Sequence, residues 1–554
     1  MKKLSIFCIC VFISTNIDAQ TTTGRVKWKS ASNIIYTYTG ELLNGKPHGR
    51  GFAVSDSGGF VQVFGEFKNG MIDGSTVVRH SNGRIVVANW KQNKPEGTGV
   101  LIWPDEHIDY GNFVNGIMEG KVISVHDDNG ILIDNIKNGI RNGRVIKVSS
   151  DGKNIYDNVY VDGQKNGQGY QYETDNKTMF EGIWENGEWV RATTGNYPSF
   201  MRNPDFSSNV TSEFILIYSD VAEKDNQKVH NDTCFDYDLK NNNRWFGYFN
   251  RGEFRNGVRL IGDSLRTIGQ FDEKGFSLGF SVEFKKGRYL YIGNYEENKM
   301  DGNGITVDID DSTIYDGKLS EGTYTGSAAR LMKNKEIRIG NFNKGQMEGG
   351  KIIYPDGHTI VVGYDSDLEI EYTTAIILSD GQRIDPLPKE VCTAINFLLK
   401  ERENNFTSIN SNKKFDIVNK SFKVRFTDGL QSWYQFPDAQ FNRILPVSSG
   451  TGNTMYNEFI CGLTVSEDLA AVKKKYNDLC KKLTACTITS LQKGKLIKLV
   501  PKLSQLKIDP ENNRMASLFS VPDYGGKKNN ALIRVMVEMN YDDKYQLTLD
   551  IISK

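Results

Sequence analysis

The sequence has no excess of charge of either sign, because 68 lysine and arginine residues balance 68 aspartate and glutamate residues. A net charge of zero provides no long-range attraction to nucleic acid or to an anionic membrane. Histidine is also scarce, with six residues of which the last is His358. The chain after residue 365 therefore holds neither a histidine-based catalytic triad nor a histidine metal site.

Long apolar runs are missing beyond the N-terminus. Residues 1–19 have the pattern of a secretory signal peptide: Lys2 and Lys3 are basic, residues 4–13 are apolar, and Ala19 precedes the expected cleavage at Gln20. The apolar run is too short to remain as a membrane-spanning helix. We therefore expect an exported protein, located in the periplasm, at the outer envelope or outside the cell.

Cysteine is rare, and two of the seven lie in the apolar run of the signal peptide. The mature chain retains Cys234, Cys392, Cys461, Cys480 and Cys486. Export permits disulfides, and the last four allow three pairings. Cys480 lies near the end of a predicted helix and Cys486 just past it, which slightly favours that pair, while free buried thiols are the open alternative. A cysteine nucleophile is not expected, since no histidine base follows residue 365.

Glycine, in contrast, is abundant and regularly spaced. Residues 291–304 place aromatic residues on both sides of Gly293, followed by Asn298, Gly302 and Gly304. A related pattern occurs twelve times, mostly 22–25 residues apart, which indicates a repeat architecture. The twelve copies are anchored on Gly40, Gly65, Ala88, Gly111, Asp134, Asn158, Gly182, Gly247, Gly269, Gly293, Gly317 and Gly340.

Each copy is predicted to form two short antiparallel strands. Alternate residues of a strand share a face, so the two aromatic residues and the glycine between them lie on one side. The glycine has no Cβ, which leaves space for a ring from the adjoining strand. Asn298 stands where other copies have Gly45, Gly116 or Gly345, and both residue types tolerate positive φ. Asn-Gly and Asp-Gly pairs between copies predict a second tight turn.

The pattern Tyr-x-Gly-x-Trp-x-x-Gly-x-x-x-Gly-x-Gly resembles the MORN repeat (membrane occupation and recognition nexus) over about residues 36–365, apart from one insertion. The resemblance implies a mainly β fold, in which an elongated antiparallel β-hairpin array serves binding or scaffolding and not catalysis. Some copies depart from the pattern. Leu42, Ile136 and Leu319 replace the second aromatic residue, and Ala88, Asp134 and Asn158 replace the first glycine.

The sequence divides after the signal peptide into four parts. Residues 20–189 are a first array, 190–243 an insertion, 244–380 a second array, and 385–554 a small α+β domain that resembles no family we recognise. The insertion contains a loop-like stretch at 193–207 and an apolar run at 214–218 that predicts a strand. It either divides the array into stacks of seven and five repeats or forms a bulky surface loop.

The C-terminal domain is predicted to contain two helices and five or six strands. One helix follows Pro388, and the other has Ser466 as its cap and an apolar stripe from Leu469 to Leu483. The predicted strands lie at residues 422–426, 440–445, 455–463, 516–521, 531–539 and 545–552.

No catalytic, metal or cofactor site is predicted. His48 and His107 lie in a turn and in a link between copies, where surface polar residues are usual. Asp127 and Asp128, and likewise the acidic group at 308–311, lack the spacing of a known calcium loop. Glycine-rich segments such as residues 45–51 lie between strands, whereas a phosphate-binding loop precedes a helix.

The aromatic residues of the repeats are predicted to form a row along one face of the array. One interpretation is a groove for an extended partner such as a peptide or a glycan. The other, which we favour, is that each ring packs against the neighbouring copy. The row comprises Tyr38, Phe67, Trp90, Phe113, Tyr160, Trp184, Phe249, Phe271, Tyr295 and Phe342.

The sequence thus predicts an exported, non-catalytic scaffold or binding protein of the cell envelope, whose repeat surface recognises a protein or an extended polymer. Attachment to a membrane surface is an alternative suggested by the name of the family, although the neutral charge and the missing anchor argue against it. An enzyme that acts on envelope glycans through carboxylates is the third hypothesis. No nucleic-acid partner is expected, and the sequence predicts no oligomeric state.

Overall fold

A computed structural model describes residues 21–29, 34–55, 62–173, 178–192, 214–224, 227–238, 241–250, 253–365, 370–403, 406–414, 430–448, 455–489, 496–498, 500–509, 514–521, 531–539 and 544–552. The predicted signal peptide lies outside these residues. Internal contacts divide the chain into two compact units, Met1–Gly357 and His358–Lys554. This division falls inside the segment predicted as the second array.

The first unit begins with a sheet of sixteen strands in which each strand pairs with the next along the chain, except that β11 pairs with β10 and β12 continues the order. All its pairs are antiparallel, as the repeat pattern predicts. Its strands are β1 Thr22–Lys29, β2 Ile35–Leu43, β3 Lys46–Ser55, β4 Gln62–Lys68, β5 Met71–Arg79, β6 Ile85–Lys91, β7 Lys94–Ile102, β8 Ile108–Val114, β9 Ile117–Val125, β10 Ile131–Lys137, β11 Ile140–Arg141, β12 Gly143–Val148, β13 Asn154–Val161, β14 Gln164–Glu173, β15 Thr178–Glu185 and β16 Glu188–Ala192.

A second sheet of the first unit starts inside the predicted insertion, so the insertion divides the array. The strand predicted at residues 214–218 is confirmed as the start of a longer strand, and the next strand of the insertion pairs with it. The strands of this sheet are β17 Phe214–Lys224, β18 Gln227–Asp238, β19 Asn243–Asn250, β20 Glu253–Ile261, β21 Leu265–Phe271, β22 Ser277–Lys285, β23 Tyr289–Glu296, β24 Lys299–Asp308, β25 Ile314–Ser320, β26 Thr323–Leu331, β27 Ile337–Asn343 and β28 Gln346–Ile353.

The turn within the repeat has positive φ at two successive residues in ten of the copies. Lys344 and Gly345 have φ of 46° and 81°, and Glu297 and Asn298 have 46° and 65°. This is the backbone of a two-residue type I′ hairpin, whose twist matches that of the flanking strands. The positive φ predicted for the second position is confirmed. The same requirement at the first position, where asparagine is frequent, was not predicted.

Replacing Gly345 with valine is expected to lower the free energy of unfolding by about 1–3 kcal/mol, because a β-branched residue is strained at positive φ. A Cβ at this position meets no atom within 4 Å, so the cost comes from the backbone and not from a clash. Gly345→Asn is the matched control and should cost much less, since Asn298 and Asn93 adopt φ of 65° and 67° at equivalent turns. Chemical denaturation measures both variants, and equal losses would contradict this description of the turn.

The prediction that a ring of the adjoining strand covers the glycine between the two aromatic residues is wrong at Gly293, where a Cβ would lie 2.5 Å from the Tyr291 hydroxyl of the same strand and 2.6 Å from the Cα of Gly304. The last glycine of the pattern instead makes room for the ring. A Cβ at Gly304 would lie 2.5 Å from the ring of Tyr291 on the adjoining strand. The Tyr291 hydroxyl donates a hydrogen bond to the carbonyl of Asn294 at 2.7 Å. The hydroxyls of Tyr38 and Tyr315 make the same bond to the third residue after them, at 2.8 and 2.6 Å. The bond recurs in these three copies, so the tyrosine can be buried without losing its partner.

The two sheets of the first unit pack face to face and share one hydrophobic core. In β6 the side chain of Val87 enters this core, while Val86 and Ala88 belong to a separate cluster on the opposite face. We call the face toward the second sheet the inner face and the other the outer face. The shared core combines Val77, Val87, Val100 and Ile123 of the first sheet with Val258, Val282, Leu290 and Val307 of the second.

Polar contacts fix the position of one sheet on the other. Arg266, whose side chain is fully buried, donates to the Glu106 carbonyl at 2.6 Å, to the Asn129 side-chain oxygen at 3.1 Å and to the Asp127 carbonyl at 3.2 Å. Two ion pairs, Lys351 with Glu41 and Arg50 with Asp316, join the sheets elsewhere. Because apolar packing is not directional, such hydrogen bonds select one relative position of the sheets.

The second unit contains a three-stranded segment, two helices and an antiparallel eight-stranded sheet in the order β32-β33-β34-β35-β41-β40-β39-β38. Its elements are β29 Thr359–Asp365, β30 Ile370–Ile377, β31 Arg383–Ile384, α1 Val391–Glu403, a 3-10 helix Thr407–Ile409, β32 Asn410–Lys414, β33 Leu430–Ser432, β34 Phe441–Ser448, β35 Met455–Ser466, α2 Leu469–Ala485, β36 Thr487–Thr489, β37 Leu496–Lys498, β38 Val500–Asp509, β39 Arg514–Val521, β40 Ala531–Met539 and β41 Tyr545–Ile552.

Both predicted helices are confirmed, but the predicted cap of α2 is wrong. Asp468 is the N-cap, and its carboxylate accepts hydrogen bonds from the backbone N–H groups of Ala470 and Ala471. Ser466 instead accepts from the N–H of Asp468 and so supports the turn before the helix. A carboxylate at this position also interacts favourably with the helix dipole. The strand predicted at residues 422–426 lies outside the described residues.

The predicted Cys480–Cys486 pair is wrong, because Cys486 forms a disulfide with Cys392 of α1, with 5.2 Å between their Cα atoms. Cys480 lies within α2, one turn after Tyr476, whose hydroxyl is hydrogen-bonded to that of Ser517 at 2.6 Å. Cys486 follows the helix with an extended backbone. Cys480 and the buried Cys461 are free thiols.

Candidate binding groove

Seven of the ten aromatic residues in the predicted row are buried: Tyr38, Phe67, Trp90, Phe113, Phe271, Tyr295 and Phe342. Their rings contact neighbouring copies or strands. Tyr38 meets Phe67 edge-on with 4.9 Å between ring centroids, and Phe254 meets Phe271 at 4.8 Å. Tyr38, Phe67, Trp90 and Phe113 belong to the outer-face cluster of the first sheet, and all seven rings are too buried to offer a partner much surface.

Two members of the row differ, because Tyr160 and Trp184 are only partly buried. Both lie in the last copies before the insertion, on strands β13 and β15. Trp184 belongs to the last copy of the first sheet, because the strand order of that sheet ends with β16. The side chain of Phe249 lies outside the described part of the chain. A binding role for the row stays a prediction, and the exposed rings direct it to this end of the first sheet.

The strand register brings other side chains to the same face. Residues directly opposite each other in paired strands lie on the same face of a sheet. One row across the strands is Lys147, Tyr156 and Gln171, and the adjacent row is Val145, Asn158, Gly169 and Gly182. Val145 lies two residues before Lys147 on the face opposite Ile146, which belongs to the inner core. These rows are therefore on the outer face.

Two indole rings lie over the glycines of the second row. The Trp184 Nε1 atom is 2.8 Å from the position that a Cβ of residue 169 would occupy, and Trp189 takes the corresponding space at Gly182. The indoles thus rest on the sheet, and Trp189 remains 58% exposed. Glycine here leaves room for the edge of an indole that stays partly exposed, whereas elsewhere in the array the covered ring is buried.

Cationic side chains accompany the exposed rings. The Lys165 ammonium lies 4.2 Å from the centroid of Trp184, and the Arg141 guanidinium lies 5.8 Å from that of Tyr160. Arg141 is held by the buried carboxylate of Asp134, with 2.5 Å between Nε and Oδ2. Burial lowers the pKa of the Lys165 ammonium. Such contacts keep each cation beside a ring while its remaining N–H groups can reach a ligand.

These residues line two adjoining cavities that we together call the outer groove. The larger, about 440 Å³, is lined by Tyr156, Asn158, Lys165, Gln171, Trp184 and Trp189, among others. The smaller, about 360 Å³, shares Tyr156, Asn158 and Lys165 and adds His126, Arg141, Lys147 and Tyr160. Volumes of this size, with rings and a few polar groups, are typical of ligand sites.

Two of the copies that form the outer groove depart from the repeat pattern. Asp134 and Asn158 replace the first glycine, and Ile136 replaces the second aromatic residue. The Asn158 side-chain oxygen lies 2.4 Å from the position that a Cβ of residue 169 would occupy, beside the Trp184 indole. The sequence therefore contained a signal for the site, whereas Lys147, Lys165 and Trp189 were not predicted because only the register brings them together.

The residues considered for a metal have structural partners. His107 lies between Trp103 and His126, with ring centroids 5.0 and 5.4 Å away, and its Nδ1 is 3.0 Å from an Asp105 oxygen. Burial, and to a lesser degree the nearby His107, lowers the pKa of His126. Among the described residues, no group of three or more His, Cys, Asp or Glu side chains has an arrangement that could hold a metal ion.

Comparison with known protein families identifies the MORN repeat at residues 38–60, 64–75, 88–107 and 291–313. The chain therefore contains MORN repeats, and its β-hairpin arrays are the fold expected of them. Among curated proteins, none matches the chain significantly. Within the described residues, no helix has both the length and the hydrophobicity needed to cross a membrane. The MORN repeats suggest a protein that binds or recognises a partner through its repeats.

Proposed function

We propose that this protein is an exported, non-catalytic scaffold or binding protein of the cell envelope, and that its repeat array recognises a protein or an extended polymer at the outer groove. The observation that carries the proposal is the end of the first sheet, where partly exposed indole rings lie beside cations and amides in an open cavity. Rings provide contact area at low entropic cost, and the polar groups give orientation.

The geometry of the outer groove fits a ligand that runs across several strands. Its lining residues come from β10 to β16 and from His126, which follows β9, and the two cavities meet at Tyr156, Asn158 and Lys165. An elongated ligand can contact the rings and the cations together, whereas a small compact ligand would fill one cavity only.

Changing Trp184 and Trp189 together to alanine is expected to weaken binding of an envelope partner by at least about tenfold, given the usual energies of aromatic contacts. The chain without residues 1–19 would be immobilised and exposed separately to protein, polysaccharide and phospholipid fractions of the envelope. Phe280→Ala is the matched control, because Phe280 is an exposed ring of the second sheet outside the outer groove.

We expect the native chain and the control to retain a protein or polymer and the double variant to lose it. Equal retention by the double variant would contradict a role for the outer groove. Retention of phospholipid vesicles alone would favour the membrane alternative. Breakdown of the polysaccharide fraction would instead favour an enzyme.

A further inference from the structure

We infer that the outer groove binds an anionic polysaccharide, with the indole rings stacked on sugar rings and the cations paired with its acidic groups. This inference rests on the proposed function and specifies the chemical class of the partner. It combines three features of one surface: the exposure of the rings, the balance of charge, and the polar side chains between them.

The exposure of the rings suits sugar rings. Trp184 and Trp189 contact Gly169 and Gly182 through the Nε1 and Cδ1 atoms of their indoles. Trp184 is partly exposed and Trp189 is 58% exposed, so ring surface is available to a flat ligand. The face of a pyranose ring that carries C–H groups is apolar and flat, and it packs well on an exposed aromatic face. A peptide side chain, in contrast, is usually received by a deep pocket, and a peptide backbone by an exposed sheet edge. The outer groove lies on the face of the sheet.

The charge of the outer groove is positive. Its lining contains Arg141, Lys147 and Lys165 but one carboxylate, Glu181. Arg141 is paired with the buried Asp134, so the excess comes from Lys147 and Lys165. The register places Glu181 opposite Tyr170, on the inner-face row, where it accepts a hydrogen bond from Gln168 at 2.6 Å. Since the chain as a whole has no net charge, this local excess of cations is a property of the groove. Carboxylate, sulfate or phosphate groups on a polymer would complement it.

Amide side chains lie between the rings and the cations. Asn158 and Gln171 occupy adjacent rows of β13 and β14, and both line the larger cavity. An amide both donates and accepts hydrogen bonds, which suits the hydroxyl groups of a sugar. An anionic lipid headgroup would pair with the cations, but it has no sugar ring to pack on the indoles and no row of hydroxyl groups for these amides.

The inference is tested with polygalacturonate, an acidic polysaccharide, and with its methyl-esterified form, which has the same sugar rings without the charge. Poly-L-glutamate supplies an acidic peptide, and phosphatidylglycerol vesicles supply an anionic lipid surface. Binding to the chain without residues 1–19 is followed by tryptophan fluorescence and by calorimetry. Two variants are compared with Phe280→Ala: Trp184→Ala removes a stacking ring, and Lys147→Gln removes a charge from an exposed side chain without disturbing packing.

We expect the native chain to bind polygalacturonate and Trp184→Ala to bind it about tenfold more weakly. Lys147→Gln should bind polygalacturonate several-fold more weakly, and the native chain should bind the methyl ester several-fold more weakly than polygalacturonate. Added salt should weaken the binding of polygalacturonate more than the binding of its methyl ester. The inference would be overturned if poly-L-glutamate or the vesicles bound as tightly as polygalacturonate or more tightly. It would also be overturned if neither variant changed the binding of polygalacturonate. Absence of polygalacturonate binding would also overturn it.

Failure of the inference and failure of the proposed function give different results. If the Trp184 and Trp189 double variant loses the envelope partner but polygalacturonate is not bound, the outer groove is the site and its partner belongs to another class. If the double variant retains the envelope partner, the site is elsewhere and both proposals fail. Unchanged near-ultraviolet circular dichroism of each variant confirms that the fold is intact.

Discussion

Replacing Arg266 with methionine is expected to lower the free energy of unfolding of the first unit by about 3–5 kcal/mol. The guanidinium of Arg266 has no exposed surface and donates to Glu106, Asn129 and Asp127 of the opposite sheet. Methionine has a comparable length but cannot donate, so buried oxygen atoms lose their partners. Burial lowers the pKa of Arg266, which shows that its charge is held at a cost that these bonds must offset.

Denaturant unfolding measures the loss, and hydrogen exchange localises it. Exchange should rise most in the backbone near residues 104–107, 127–130 and 262–266, where the two sheets meet. Arg266→Lys should show an intermediate loss, since an ammonium keeps the charge but cannot reproduce the arrangement of a guanidinium. Lys299→Ala is the surface control, because its ion pair with Glu321 is exposed and is expected to contribute at most about 1 kcal/mol. If Arg266→Met lowered the free energy of unfolding as little as Lys299→Ala does, the proposed role of Arg266 would be contradicted.

Replacing Cys392 with serine is expected to destabilise the second unit by about 2–5 kcal/mol. The disulfide joins α1 to the residue after α2 across 94 positions of sequence, so its loss increases the conformational freedom of a long segment of the unfolded chain. The hydrogen bond from the Asn396 side chain to the Thr487 carbonyl, 3.1 Å long, lies beside this link and should weaken with it. Denaturation with and without a reductant measures the effect.

Cys480→Ser distinguishes the observed pairing from the one suggested by the sequence. Cys480 is a partly buried free thiol, so its replacement should have a small effect and should leave the response to reductant unchanged. Peptide mapping without reduction should recover Cys392 linked to Cys486. A stabilising disulfide that disappears in Cys480→Ser but persists in Cys392→Ser would contradict the pairing.

Strand positions were predicted best where local chemistry decides them. The predicted strands at 531–539 and 545–552 coincide with β40 and β41. In β41 buried Leu547, Leu549 and Ile551 alternate with Gln546 and Thr548, a period that specifies an extended chain. The repeat turns could be predicted equally well, because asparagine and glycine, which tolerate positive φ, identify these turns along the chain.

The position of the outer groove was only partly accessible from the sequence. Tyr160 and Trp184 belonged to the predicted row, but nothing local distinguished them from Phe67 or Phe113, which are buried. Whether a ring is covered depends on what the next strands place over it. The replacements at Asp134 and Asn158 were visible as departures from the repeat, yet their meaning depends on the strands that lie beside them.

The sequence by itself determined the repeats, their hairpins, both helices of the second unit and the strand that begins the second sheet, because each depends on residues close together in the chain. The tertiary structure alone decided which cysteines pair, how the two sheets face each other and where cations meet exposed rings. The Arg266 contacts join residues 137 to 160 positions apart. Side-chain periodicity shows that a face is apolar, but it does not specify the surface that will cover it, because apolar packing has no directional preference.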